Sequence, residues 1–251
     1  MTSLNIHMKS QTQSHHPISE QERSYWDRWQ DTNSTNAWAI QRSKTLDQML
    51  QPILAERSLK ILDSGCGNGW YSVRLSKYGK VTAIDLSELH MAEAAHKHPE
   101  IEFIAGDFIE YDFPQNYFDL VVSQQVLPHV YDQQRYIEKV AELLIPGGHL
   151  ALTMNNKFVV ERMSNYNSHV DQGHKENWLA LREFKRLARP YFKIRQTKSI
   201  PPMGDSGVLR VLNSPKVNHL LNHFFKQETI LKAKELMRLG YVNLIIAQKR
   251  K

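Results

Sequence analysis

Between Leu59 and Met154 the chain alternates short apolar runs with amphipathic stretches. The runs are Leu59 to Asp63, Val81 to Asp85, Ile101 to Ala105, Phe118 to Ser123 and His149 to Met154, each of a length that suits a buried strand. Between them, Trp70 to Lys77, Glu88 to Lys97 and Gln133 to Leu144 read as helices, and Pro146-Gly147-Gly148 as the stop signal of the last. Strands and helices in strict succession predict a parallel sheet wound with helices, an α/β architecture. The short connections fit such units.

The flanks read differently. Met1 to Ile18 is polar and aperiodic, which predicts a flexible tail. Ser19 then caps the acidic start Glu20-Gln21-Glu22, followed by Tyr25, Trp26 and Trp29 on a short amphipathic segment. Trp38 to Ala55 carries Leu46, Met49, Leu50, Ile53 and Leu54 at roughly helical spacing. Residues 19–57 therefore form an expected N-terminal helical cap on a main domain of residues 58–251. Past Asn156, Asn177 to Ala188 reads as a helix, Phe192 to Ser199 as a sixth strand and Tyr241 to Gln248 as a seventh. An insertion at about residues 201–239 opens with Pro201-Pro202-Met203-Gly204 and turns helical, with Leu209, Val211, Leu220, Phe224 and Phe225 as material for a lid or substrate-side element.

Composition bounds the possibilities. A chain of 251 residues with 41% hydrophobic and 23% charged residues is ordinary globular material, long enough for a large core. No apolar stretch is long enough to cross a bilayer, so integral membrane association is not expected. The single cysteine, Cys66, excludes an intramolecular disulfide, and the first residues lack an apolar leader core. A cytoplasmic location is the expectation. The net charge of +6 permits a nucleic-acid or anionic-membrane partner without requiring one. Arg182, Lys185, Arg186, Arg189, Lys193, Arg195 and Lys198 face only Glu183, and Lys249-Arg250-Lys251 ends the sequence given. These cations are either solvated or a site for an anionic substrate, a lipid surface or RNA.

The chemistry concentrates after the first strand, where Asp63-Ser64-Gly65-Cys66-Gly67-Asn68-Gly69 opens a helix. That is the context of a nucleotide-binding glycine loop, in which a Cβ would block close backbone approach to the ligand. Asp85 ends the next strand, about twenty residues on, as an acceptor for both hydroxyls of a ribose. The pair selects an adenosine-type ligand. Trp70 stands where a dinucleotide fold needs its third glycine, which disfavours NAD.

Ile61 to Gly69 resembles the first motif of class I S-adenosylmethionine-dependent methyltransferases, with Ser64 where that family more often carries an apolar residue. The likeness continues through Ala83-Ile84-Asp85-Leu86-Ser87, Gly106-Asp107-Phe108, Phe118 to Ser123 with Val126-Leu127-Pro128-His129-Val130, and Leu144 to Leu150. It covers about residues 59–155. It implies a Rossmann-like, doubly wound, seven-stranded sheet, mostly parallel with the last strand antiparallel, and S-adenosyl-L-methionine as cofactor. By the same resemblance Gly65, Gly67 and Gly69 bracket the methionine part, Asp85 holds the ribose, and Asp107 with Phe108 meets the adenine. Asp63, Cys66, Leu86, Ser123 and Gln124 complete the implied cofactor set. Asp107 is chemically suited, since a carboxylate accepts the adenine amino hydrogen.

Methyl transfer is a displacement at a sulfonium methyl, so the protein mainly aligns the reactants and removes a proton where the nucleophile carries one. His129, after the fourth strand, is the candidate base, or else a residue that packs or bonds the loop. Tyr25, Trp26 and Trp29 are either a lid over the cofactor or the buried face of their helix. Arg42 either pairs with the methionine carboxylate or is solvated. No metal site is expected: His219 and His223 are four apart but lack a third ligand. His90, His96 and His98 are read as solvated, and Cys66 as a small residue filling tight space. The implied activity is metal-independent methyl transfer to O, N or C of a small, partly apolar metabolite. The alternatives are an RNA or protein methyltransferase, disfavoured because the fourth strand ends Ser123-Gln124-Gln125, and a catalytically silent cofactor-binding protein.

Overall fold

The computed structural model describes residues 37–55, 58–163 and 177–251. The expected tail and the helix carrying Tyr25, Trp26 and Trp29 lie outside the described residues. Seven strands are β1 Leu59–Ser64, β2 Gly79–Asp85, β3 Glu102–Ala105, β4 Phe118–Gln124, β5 Leu144–Asn155, β6 Phe192–Pro202 and β7 Gly240–Lys249. They form one sheet in the order β3-β2-β1-β4-β5-β7-β6. β1 to β5 pair in parallel, and β7 runs antiparallel to both of its neighbours. β6 is therefore parallel to β5, and its end at Pro202 lies at the same carboxyl edge as the ends of β1, β4 and β5.

The helices are α1 Ala37–Leu54, α2 Trp70–Leu75, α3 Glu88–Lys97, α4 Gln133–Leu143, α5 Lys157–Val160, α6 Leu181–Ala188, α7 Gly207–Leu212, α8 Pro215–Phe224 and α9 Gln227–Leu236. Because successive strand residues point to opposite faces, the central strands feed two cores. Ile61, Leu120, Val122 and Ala151 pack with Leu46, Met49 and Leu50 of α1 on one face. Leu62, Val121, Leu150 and Leu152 pack with Ile137, Val140 and Phe184 on the other. α1 thus belongs to the same core as the sheet it covers.

Four sequence readings need correction. Pro146-Gly147-Gly148 is no helix stop: α4 ends at Leu143, and these residues lie inside β5. Phe118 pairs with Leu144 and Leu120 with His149, so the extra residues of β5 bulge out, with Gly147 at φ 83°. The segment 177–180 is not helical; Asn177 N donates to Pro128 O at 2.7 Å, and α6 begins at Leu181. β6 runs on through Pro202, so the start of the expected insertion is strand. His90 is buried, not solvated, with Nδ1 2.7 Å from Ser87 Oγ, the hydroxyl that caps α3 by accepting from His90 N. His96 is exposed and His98 half-buried.

Candidate active site

The glycine loop leaves β1 with Gly65, Gly67 and Gly69 at φ 68°, 62° and 77°, a left-handed region costly for a residue with a Cβ. Gly65 N and Cys66 N both donate to Ile84 O, at 2.8 and 3.1 Å, which ties the loop to the end of β2. Two of the glycines answer to the protein's own packing. A Cβ on Gly65 would stand 2.2 Å from Val126 Cγ2, and one on Gly69 2.6 Å from the Phe103 ring.

Asp85 closes the arrangement. Its Oδ2 accepts from Gly67 N at 2.8 Å and its Oδ1 from Ser87 N at 3.2 Å. These amides hold the carboxylate in one orientation beside the loop, while burial, its largest influence, raises its pKa above the ordinary value. Asp63, at the end of β1, is pushed up to about 7 by burial, with the Ser72 hydroxyl 2.6 Å away opposing the shift and the nearby Asp85 charge adding to it. A buried acid with a raised pKa stabilises the fold most fully below its unfolded value of about 3.8, and that stability is lost as pH rises through about 7. Asp63→Asn is accordingly expected to flatten the decline in Tm between about pH 5 and pH 8, with a difference from the wild type of roughly 4 °C at the upper end. Thermal melts across that range check it.

Gly106 N donates to Asp85 O at 2.9 Å, which places Asp107 beside Asp85 at the carboxyl edge. Asp107 Oδ1 accepts from Ile109 N at 2.8 Å, fixing the side chain in an Asx turn. Leu86 is half-buried between Asp85 and the cap of α3. Cys66 is buried, its Sγ 3.7 Å from Met91 Sδ, and burial pushes its thiol well up, as suits a packing residue.

Across the edge, Gln124 ends β4 on the face covered by α1. Its Oε1 accepts from Arg42 Nε and Ser43 Oγ, both at 3.2 Å. Burial lowers the Arg42 pKa to about 10, with Tyr241 opposing the shift, so the guanidinium stays charged at neutral pH. It has no carboxylate partner within ion-pair distance among the described residues. Gln125 follows at φ 62°, unusual for a residue with a side chain, and its Nε2 is buried without a hydrogen-bond partner among the described residues, as is Thr153 Oγ1 on β5. His129 is half-buried on the tight turn Leu127–His129.

Two residues of the implied set face the core instead of the cleft. Phe108 is buried, its ring 4.8 Å from that of Tyr136. Ser123 Oγ accepts from Tyr136 OH at 2.8 Å, and the same phenol lies 2.9 Å from Ser64 Oγ, so one tyrosine of α4 joins the ends of β1 and β4 beneath the sheet. The residue type that departs from the family pattern at position 64 thus has a buried partner. Tyr136 escaped the sequence reading; a hydroxyl at 64 in an apolar context was the signal that a distant partner must exist. Tyr136→Phe is expected to cost about 1–2 kcal/mol in chemical denaturation, because it strands two buried hydroxyls. Tyr25 lies outside the described residues.

An acceptor such as the Asp85 carboxylate and a donor such as the Arg42 guanidinium are chemically suited to the ribose diol and the α-carboxylate of S-adenosylmethionine. The seven-stranded sheet, with one strand antiparallel and a glycine loop at the end of β1, has a Rossmann-like methyltransferase fold. Residues 62–152 match the family model described as a methyltransferase domain. A probable S-adenosylmethionine-dependent methyltransferase of Mycobacterium tuberculosis is 28% identical over 128 residues, 51% of this chain and 46% of that protein. A ubiquinone biosynthesis O-methyltransferase of Coxiella burnetii is 36% identical over 105 residues, 39% of this chain and 44% of its own length. A crystal structure of a Pyrococcus horikoshii protein superposes with a TM-score of 0.63 at 18% identity, covering 90% of this chain and 99% of that one. Over residues 62–152 the chain is thus similar to a methyltransferase domain, and the relative matched there in Mycobacterium tuberculosis is named as S-adenosylmethionine-dependent. The matches span less than half the length of these two curated relatives. Among the described residues, no helix is long and apolar enough to cross a membrane, and no three His, Cys, Asp or Glu side chains gather as a metal site.

Proposed function

We propose that this protein transfers the methyl group of S-adenosylmethionine to an oxygen, nitrogen or carbon of a small, partly apolar metabolite, by in-line displacement without a metal. The observation that carries the reading is the Asp85 carboxylate, clamped by Gly67 N and Ser87 N beside the glycine loop. In this reading Asp85 accepts from the ribose hydroxyls, Asp107 from the adenine amino group, and Arg42 pairs with the methionine carboxylate. Leu86 and Gln124 line the cleft, while Phe108 and Ser123 support it from below. Tyr25 is assigned to the lid on sequence grounds. The cofactor supplies an electrophilic methyl on a sulfonium centre; the chain's residues align the acceptor, exclude water and take up a proton.

Calorimetry against S-adenosylmethionine, S-adenosylhomocysteine and NAD in parallel tests the reading: both adenosyl ligands should bind and NAD should not. Binding of NAD alone would overturn it. We assign His129 as the base for acceptors that must lose a proton. His129→Ala should then leave cofactor affinity unchanged while lowering kcat roughly a hundredfold, and an unchanged kcat would remove the role.

A second reading, methylation of RNA, is favoured by one feature. Residues 181–202 and 249–251 carry ten Lys and Arg against the single acid Glu183, so the remainder of a chain with net charge +6 is net negative. Methyl transfer from labelled cofactor to an RNA fraction, with none to metabolite extracts, would select it.

A further inference from the structure

The helical insertion between β6 and β7 carries a surface the methyl-transfer reading does not use. Val208, Val211, Leu220, Phe224, Phe225 and Leu236 are exposed large apolar residues within it. The densest part is α8, none of whose residues is buried. Lys216, His219, Leu220, His223 and Phe224 recur at helical spacing and so share one face. On that face Leu220 is 62% and Phe224 74% exposed, and Phe225 just beyond is 55% exposed.

The opposite side of α8 is firmly held. The Lys234 amine, buried on α9, donates to Asn218 Oδ1 at 2.8 Å and to Asn213 Oδ1 at 3.2 Å, and Asn218 Nδ2 donates to Asn213 O at 3.1 Å. The platform is anchored at the carboxyl edge: Leu209 of α7 is buried with Val159 and Leu239, and Tyr241, at the start of β7, packs against that cluster. The apolar face and the candidate active site therefore share one end of the molecule.

Charge identifies the partner. From Gly207 to Lys226 there is no acidic residue, whereas Arg210, Lys216 and Lys226 are exposed cations. In a twofold contact between two copies of this chain the same cations would be brought together, a repulsive arrangement. Anionic lipid headgroups accept the cations while the acyl boundary takes Leu220, Phe224 and Phe225. We propose that the outward face of α8 and the adjoining Phe225 dock this protein on an anionic bilayer surface, setting the active-site end against the lipid.

Co-sedimentation of the full chain with phosphatidylcholine vesicles, with and without phosphatidylserine, tests this independently of any methyl transfer. The wild type should pellet with the anionic vesicles. Leu220→Asp combined with Phe224→Asp should lower partitioning by at least about tenfold, and Lys216→Glu with Lys226→Glu by roughly tenfold or more. Both pairs are exposed, and unchanged circular dichroism and cofactor affinity would show that the fold is intact. Wild-type protein left in the supernatant would overturn the proposal. Pelleting insensitive to the aspartate pair would assign membrane attraction to other cations and overturn it equally. A concentration-dependent dimer abolished by the aspartate pair would give the face to a second copy, and would also overturn it.

Discussion

Asp85→Ala is expected to weaken S-adenosylmethionine binding roughly a hundredfold, about 3 kcal/mol, as measured by calorimetry. A carboxylate accepting from two hydroxyls forms charge-assisted bonds, each worth more than a neutral one, and alanine supplies no acceptor. Two amides now satisfied by the carboxylate, Gly67 N and Ser87 N, also lose their partner, so the loop loses its orientation along with its acceptor. The fold itself should suffer little, because Asp85 ends its strand and burial already disfavours its charged form. Affinity in the wild type should fall on acidification at a pH above the ordinary value of 3.8, since ribose hydroxyls donate to the ionised form and that pKa is raised. Wild-type affinity in Asp85→Ala would refute the assignment.

Gly65→Ala is expected to damage both cofactor binding and stability, with affinity down about fiftyfold or more and Tm lower by roughly 5 °C. The backbone at φ 68° already penalises any Cβ, and the new methyl would stand 2.2 Å from Val126 Cγ2. Relief by moving the loop is opposed by the 2.8 Å bond from Gly65 N to Ile84 O. Relief by moving Val126 disturbs the turn that carries His129, one turn of backbone away. Gly106→Ala is the control: its Cβ would meet Tyr111 and Ile84 only at 3.8 and 3.9 Å, ordinary contact, so a near-neutral result is expected. Equal effects at the two positions would remove the steric account.

β1 to β5 were legible because each holds a short apolar run bounded by turn residues, and α3 because Ser87 is a capping residue immediately before it. The glycine loop and Asp85 were legible because their roles depend on spacing along one βαβ unit. What escaped the sequence depends on pairs far apart in the chain. Arg42 meets Gln124 across 82 positions and Ser64 meets Tyr136 across 72, and no local period reports such meetings. Parity turns Ser123 toward Tyr136, because a strand residue one place along points to the other face, while Phe108, on the turn after β3, packs its ring against the same tyrosine. Glycine and proline marked a boundary at Pro146-Gly147-Gly148, but the same residues serve a bulge as readily as a helix stop.

The phenol shared by Ser64 and Ser123 makes these three positions depend on one another in descent. Removing any one partner alone leaves a buried hydroxyl stranded, whereas an apolar set at 64, 123 and 136 would be whole again. The single changes should therefore sum to a larger loss than the triple change, a sign of epistasis measurable in a mutant cycle. A relative that restores an apolar residue at position 64 is expected to have given up the tyrosine as well, so the two sites should change together among descendants of this chain.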